Sequence, residues 1–496
     1  MQTKIDEKQN TINVLFLAAE ADPLIKIGGL GDVAYALPAA LRELSPEETN
    51  GYTIDARLVL PCHGGILDQC EIDKTISTFG IPYPGGLVPA SAFTTSIDGL
   101  PTYLISGSPI PQNSPVYSNN SHLDGLKFVF FSLASQYLAK QINWKLDILH
   151  ANDWHTALSV YKLKKVRELD PFYKDTKSVL TIHNLPYLGN GTEQALMDFG
   201  IPLETKSKLP AWAKQLPFPL GLSAADHITA VSPTYAKEIM TPEYSSGLEK
   251  FLKTRKSAIS GIINGLDYQK WDPQTDSKIE ENFSISTIEK RKNNKKALLQ
   301  AFNFDPIDTK PLLILISRMD HQKGIDTALE SLENILDLDW NAIFLGTGNK
   351  DIEKQTKSLE KKVPKRFRAV IDFDAALARR MYAGGDMILM PSRYEPCGLA
   401  QIIAMKYGCI PIATATGGLK DTITTKRASR TGYLSKEKNT FHFSESIASA
   451  IKDFNNPKLW IQIQINAMKE NFSWKKSALS YASLYIDLLK ESNHDI

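Results

Sequence analysis

Short apolar runs rich in Val, Ile and Leu alternate with longer stretches of helical periodicity along most of the chain, and this alternation narrows the fold further than any other feature. A first series predicts strands at Ile12–Ala18, Arg57–Leu60, Thr102–Ile105, Ile148–His150, Val179–Ile182 and Ile228–Val231. A second predicts them at Leu312–Ser317, Ala342–Leu345, Ala369–Ile371, Met387–Met390 and Ile410–Ala413. Several are apolar at every position, as strands covered by helices on both faces are. Repeated strand–helix units predict parallel, doubly wound sheets.

Residues 267–311 break the pattern: they are polar, rich in Lys, Asn and Asp, and without a strand signal. With 496 residues the chain also exceeds what one core usually supports. The expected fold is therefore α/β, with two Rossmann-like domains and a boundary near Asn264–Asp267. Residues 1–263 form the first domain and 264–472 the second. An amphipathic helix beginning near Trp474 and carrying Leu484, Tyr485, Leu488 and Leu489 fills residues 473–496. Open α/β sheets bind ligands outside the carboxyl ends of their strands, so two such domains are expected to share one cleft.

Composition removes several function classes. Lys and Arg number 57 against 55 Asp and Glu, a net charge of +2. That balance gives no basis for a nucleic-acid partner and suits a neutral polymer or a small ligand. No stretch approaches the roughly 18 apolar residues of a membrane span, and the polar start MQTKIDEKQN is unlike a signal peptide. Cys62, Cys70, Cys397 and Cys409 form no C-x-x-C pair, as expected of reduced thiols in a cytoplasmic protein.

Polar and glycine-rich segments follow the strands. After the first comes Lys26-Ile27-Gly28-Gly29-Leu30-Gly31-Asp32, then a helical stripe of Leu30, Val33, Ala34, Leu37, Leu41 and Leu44 in which Pro38 is expected to kink the helix. Glycines allow close backbone approach, and a helix start offers N–H groups to phosphate. Neither G-x-G-x-x-G nor G-K-[ST] spacing is present. His150-Ala151-Asn152-Asp153-Trp154-His155 and Thr181-Ile182-His183-Asn184 follow later strands, making Asp153 and His183 site candidates. A metal site at His150, Asp153 and His155 lacks any known zinc spacing, so both histidines read as structural. In the second half, Arg318 and Lys323 follow a strand and suit a diphosphate that gains charge as its bond to sugar breaks. Glu395, within Ser392-Arg393-Tyr394-Glu395-Pro396-Cys397-Gly398-Leu399, suits sugar hydroxyls, and the Gly417–Gly418 turn offers N–H groups to phosphate.

Taken in order, KIGGLGDVAYALPAAL, HANDWHTAL, TIHNLPYLG, AVSPTYAKEI, INGLDYQKWDP, SRMDHQKGID, MPSRYEPCGLAQIIAMKYG and ATGGLKDT resemble the bacterial glycogen synthases and plant starch synthases. These are retaining glycosyltransferases of the GT-B fold. The resemblance implies that Lys26, Gly28 and Gly29 contact the donor diphosphate. Asp153 and His183 would line the glucose and acceptor side, with Asn264 nearby. Arg318 and Lys323 would clamp the diphosphate, Glu395 would hold the transferred glucose, and Cys397, Gly398 and Leu399 would pack beside it. Phe373 would lie against the nucleobase.

The implied reaction transfers glucose from ADP-glucose to the non-reducing end of an α-1,4-glucan with retention, without cofactor or metal. UDP-glucose as donor, or a maltooligosaccharide or glucose phosphate as acceptor, is the alternative. Double displacement needs two carboxylates flanking the bond; Glu395 and Asp153 lie in different predicted domains, which favours front-side displacement. Three rivals have their own markers. Asp337-Leu338-Asp339 and Asp372-Phe373-Asp374 match the letters of a metal-binding D-x-D. A glucan phosphorylase would need a pyridoxal phosphate lysine and a longer chain. A silent glucan-binding protein would not need the retained cations and carboxylate.

Overall fold

The computed structural model describes residues 10–491. They divide into two compact units, the first comprising residues 10–231, 236–265 and 474–491, the second residues 232–235 and 266–473. The expected ranges differ from these units at three places: residues 232–235 belong to the second unit, residues 264–265 to the first, and Ser473 to the second.

The first unit is built on a nine-stranded sheet. Its strands are β1 (Asn10–Leu17), β2 (Tyr52–Pro61), β3 (Lys74–Tyr83), β4 (Gly86–Ile97), β5 (Leu100–Gly107), β6 (Ile148–Asn152), β7 (Lys177–Ile182), β8 (His227–Ala230) and β9 (Ile259–Gly261), in the order β3-β4-β5-β2-β1-β6-β7-β8-β9. From β5 to β9 every pairing is parallel. β3 and β4 extend one edge as antiparallel strands. The order in which the chain adds strands reverses at β1, which pairs with β2 on one side and β6 on the other. That is the switch point where loops diverge and leave a crevice.

Two helices cover one part of this sheet. Gly29–Arg42 runs unbroken through Pro38 and buries Leu30, Val33, Ala34, Leu37 and Leu41, the predicted stripe. Trp474–Glu491 lies in the same core, burying Tyr481, Ala482, Tyr485 and Ile486. A hydrogen-bond chain ties it to the strands. Tyr485 Oη meets His150 Nδ1 at 2.6 Å, His150 Nε2 meets Thr181 Oγ1 at 2.7 Å, and Thr181 meets Thr229 at 2.6 Å. Both ring nitrogens of His150 are therefore occupied, consistent with the structural reading of this residue.

The second unit carries a wholly parallel six-stranded sheet of β10 (Leu312–Ile316), β11 (Asn341–Leu345), β12 (Phe367–Val370), β13 (Met387–Met390), β14 (Ile410–Thr414) and β15 (Tyr433–Ser435). The order β12-β11-β10-β13-β14-β15 puts the switch point between β10 and β13. All four cysteines are free thiols, and burial pushes Cys62 up to about 12. Among the described residues no helix is long and apolar enough to cross a membrane.

Candidate active site

In each unit most of the polar side chains singled out from sequence gather at strand exits near the switch point, whereas Asn264 follows β9 at the sheet's edge. In the first unit these exits are those of β1, β6 and β7. Asp153, immediately after β6, has φ +54°, a left-handed conformation that a non-glycine residue adopts only where its surroundings hold it. Its Oδ1 accepts the backbone N–H groups of His183 (2.7 Å) and Asn184 (3.3 Å) beyond β7. Burial pushes its carboxyl up to about 7, against the lowering effect of those two N–H groups.

The histidine beside it has a definite tautomer. Asn152 Nδ2 donates to Leu17 O at 2.9 Å, which leaves Asn152 Oδ1 to accept from His183 Nε2–H at 2.8 Å. Burial depresses His183 to about 3, so the ring is neutral near pH 7 and Nδ1 is a bare acceptor. Asn264 is buried, and its Oδ1 has no hydrogen-bond partner. An unpaired acceptor of this kind costs about 1–3 kcal/mol unless a ligand satisfies it. His155 packs among Tyr117, Phe128 and Trp154 as an aromatic core residue. Among the described residues no cluster of three or more His, Cys, Asp or Glu side chains is arranged to hold a metal.

Beyond β1 the glycine loop is organised by a residue to which the sequence assigns no role. Glu20, 1% exposed, accepts the N–H of Ile27 and that of Gly28 (3.0 Å) on Oε2, while Tyr117 Oη donates to Oε1 at 3.0 Å. Gly28 N–H, expected to face a phosphate, is thus engaged by this carboxylate. Gly29 keeps open space around it. Lys26 is exposed, with Nζ 2.6 Å from Asp32 and 3.9 Å from Asp22. A glutamate at the exit of a buried strand was the available sequence signal for Glu20; charged loop residues are usually solvated, which hides it.

In the second unit Lys323 Nζ lies 2.6 Å from Glu395 Oε2, bringing the exits of β10 and β13 together. Ser392 Oγ donates to the same oxygen at 3.1 Å, and Glu395 is buried. Three further contacts lock these loops: Arg393 N–H to Gln322 O (2.9 Å), Gln322 Nε2 to Tyr394 O (3.2 Å), and the Arg393–Asp326 ion pair at 2.7 Å. Asp320 accepts Lys323 N–H at 3.0 Å and sits 3.1 Å from the guanidinium of Arg318, whose side chain is 68% exposed.

The glycines of β14's exit serve the same loop. A Cβ on Gly417 (φ +43°) would overlap the Glu395 carbonyl oxygen, and one on Gly418 the Cys397 carbonyl oxygen. Gly418 N–H already donates to Glu395 O at 3.1 Å. The expected phosphate-facing role of Gly418 N–H gives way to holding the Glu395 loop, because the two backbones touch. Cys397 is buried, Gly398 takes φ +73°, and Leu399 is half-buried where the helix Ala400–Lys406 begins. Phe373, beyond β12, is 85% exposed with an unburied ring face, while Asp372 and Asp374 engage backbone N–H groups. Of the other acidic pair, Asp339 is exposed and 3.9 Å from Arg366.

The chain is similar to known proteins over nearly its whole length. Residues 13–254 match the starch synthase catalytic domain and residues 299–466 the group 1 glycosyl transferases. It is 36% identical to the glycogen synthase of Clostridium perfringens, over 97% of this chain and 99% of that one. With the glycogen synthase of Thermosipho africanus it shares 35%, over 96% and 98%. Among solved structures it is similar to the catalytic domain of starch synthase IV from Arabidopsis thaliana, bound to ADP and acarbose. There the TM-score is 0.82 and the identity 26%, over 97% of this chain and 99% of that chain. Two doubly wound sheets with charged clusters at their switch points, taken with these matches, define a hexosyltransferase of the GT-B fold. More narrowly, the chain belongs to the glycogen synthase and starch synthase family.

Proposed function

We propose that this glycogen or starch synthase uses ADP-glucose and extends the non-reducing end of an α-1,4-glucan with retention, in the cytoplasm and without a metal or other cofactor. The Lys323–Glu395 pair carries the reading, because it sets a cation for a diphosphate beside a carboxylate for sugar hydroxyls at one switch point. Glu395 accepts hydrogen bonds from the glucose being transferred, with Cys397, Gly398 and Leu399 beside that sugar. Lys323 and Arg318 take the negative charge that grows on the diphosphate as the glycosidic bond breaks. In the first unit Lys26 offers positive charge to a phosphate, and Gly28 and Gly29 allow close backbone approach. The exposed ring of Phe373 stacks on the base.

Asp153 holds the backbone of His183 and Asn184, and the bare Nδ1 of His183 accepts a sugar hydroxyl. Asn264 Oδ1 gains from a second hydroxyl the partner that it lacks. With Glu395 the buried carboxylate beside Lys323, and no second carboxylate assigned across the bond, front-side displacement accounts for retention: the acceptor 4-hydroxyl attacks the face that the diphosphate leaves. The ADP carried by the starch synthase IV relative supports the choice of base. The test is transfer of labelled glucose to glycogen or maltooligosaccharide from ADP-glucose beside UDP-glucose, with and without EDTA. Faster transfer from ADP-glucose, unaffected by EDTA, is expected; preference for UDP-glucose or loss on chelation overturns the donor or the metal-free reading respectively.

A further inference from the structure

Well along the helix Asp153–Val166 from its catalytic end, the first unit has a cavity of about 460 Å³. Tyr161 and Lys165 lie eight and twelve residues past Asp153, roughly 12–18 Å along the helix axis. Lys164, Lys165, Lys206, Lys208 and Arg255 all line it. Among the described residues none of these five cations has a carboxylate oxygen within 4.0 Å, although ion pairs are frequent elsewhere in the chain.

Two acidic side chains share the lining, Glu168 and Glu204. Glu204 is engaged: it accepts from Tyr161 Oη (2.7 Å), Lys206 N–H (2.7 Å) and Ser207 N–H (3.1 Å), which fixes the loop carrying two of the lysines. Arg255 is anchored by the carbonyl oxygens of Ser223 (3.2 Å) and Ala225, and the Asp226 carboxylate acts on it only from beyond ion-pair distance. Lys165 Nζ is held 4.7 Å from the centre of the Tyr161 ring. Ser207 belongs to the cavity lining, and its Oγ, shielded from solvent, has no hydrogen-bond partner. Like charges gathered around a concave space repel one another, and an anion in that space reverses the sign of the interaction.

We propose that this cavity binds a small phosphorylated sugar. Its phosphoryl group meets the lysines and Arg255, and its hydroxyls meet Glu168 and Glu204. The chemistry is that of charge-assisted hydrogen bonds to a phosphate. The site is distinct from the diphosphate cations of the second unit.

The test is calorimetric titration of the full chain with ribose 5-phosphate, with ADP present in excess so that the donor-binding residues are occupied. A single saturable event is expected, displaced by inorganic phosphate but not by unphosphorylated ribose, and weaker at high salt. The double variant Lys164→Ala/Lys208→Ala removes two exposed side chains, so the melting temperature should hold while binding weakens about tenfold or more. Absence of binding to the parent protein, or equal binding by parent and variant, overturns the proposal. Displacement by plain ribose would overturn the phosphate reading as well.

Discussion

Asp153 shows how much one position can combine. Its left-handed backbone, its two accepted N–H groups and its burial all serve to hold His183, and the last of these raises its pKa. In an unfolded chain the group titrates near 4, and in the folded protein at about 7. Between those values the folded state keeps a proton that the unfolded state has released. The stability this group contributes is therefore full below about pH 4 and is lost as pH rises through about 7. Asp153→Asn keeps an oxygen for the His183 N–H but cannot ionise. Its melting temperature relative to the parent should rise between about pH 5 and about pH 8; a difference that stays constant over that range would contradict the assignment.

At the scale of elements, two attachments decide whether the strand exits keep their shape. The C-terminal helix is fastened through Tyr485 to His150, and Tyr485→Phe leaves a buried ring nitrogen without a partner. That substitution should cost about 1–3 kcal/mol in urea unfolding; no measurable change would mean that the hydroxyl contributes little. Gly418→Ala sets a Cβ against the Cys397 carbonyl and must displace the Glu395 loop. A shift of about 1 Å at a reacting centre can cost on the order of 100-fold, so turnover should fall by at least roughly tenfold with far-UV circular dichroism unchanged. Parent-like turnover would show that the loop accommodates the methyl group. The parallel strands were legible in the sequence because burial on both faces makes them continuously apolar. β3 and β4 were not, since Thr, Ser and Gly alternate there with half-exposed apolar residues, and β9 and β15 are only three residues long. Asp153, His183, Arg318 and Glu395 could be singled out as candidates because strand exits carry function in this architecture. The bond between Lys323 and Glu395, 72 residues apart, depends on the β10–β13 pairing, which no local pattern encodes.

For the whole molecule, the account rests on stabilising a leaving diphosphate with cations held at one switch point. Lys323 is an imperfect probe of this idea, because removing it leaves the buried Glu395 charge unpaired and costs stability as well as rate. Arg318 is better: its side chain is 68% exposed and its ion pair among the described residues is with the half-buried Asp320, so its loss should leave the fold intact. The most direct measurement is single-turnover glucose transfer by Arg318→Ala at saturating ADP-glucose, beside the equilibrium binding of that donor. The account predicts a transfer rate lower by about 100-fold or more with donor affinity changed far less. An unchanged transfer rate, or a loss confined to donor binding, would contradict it.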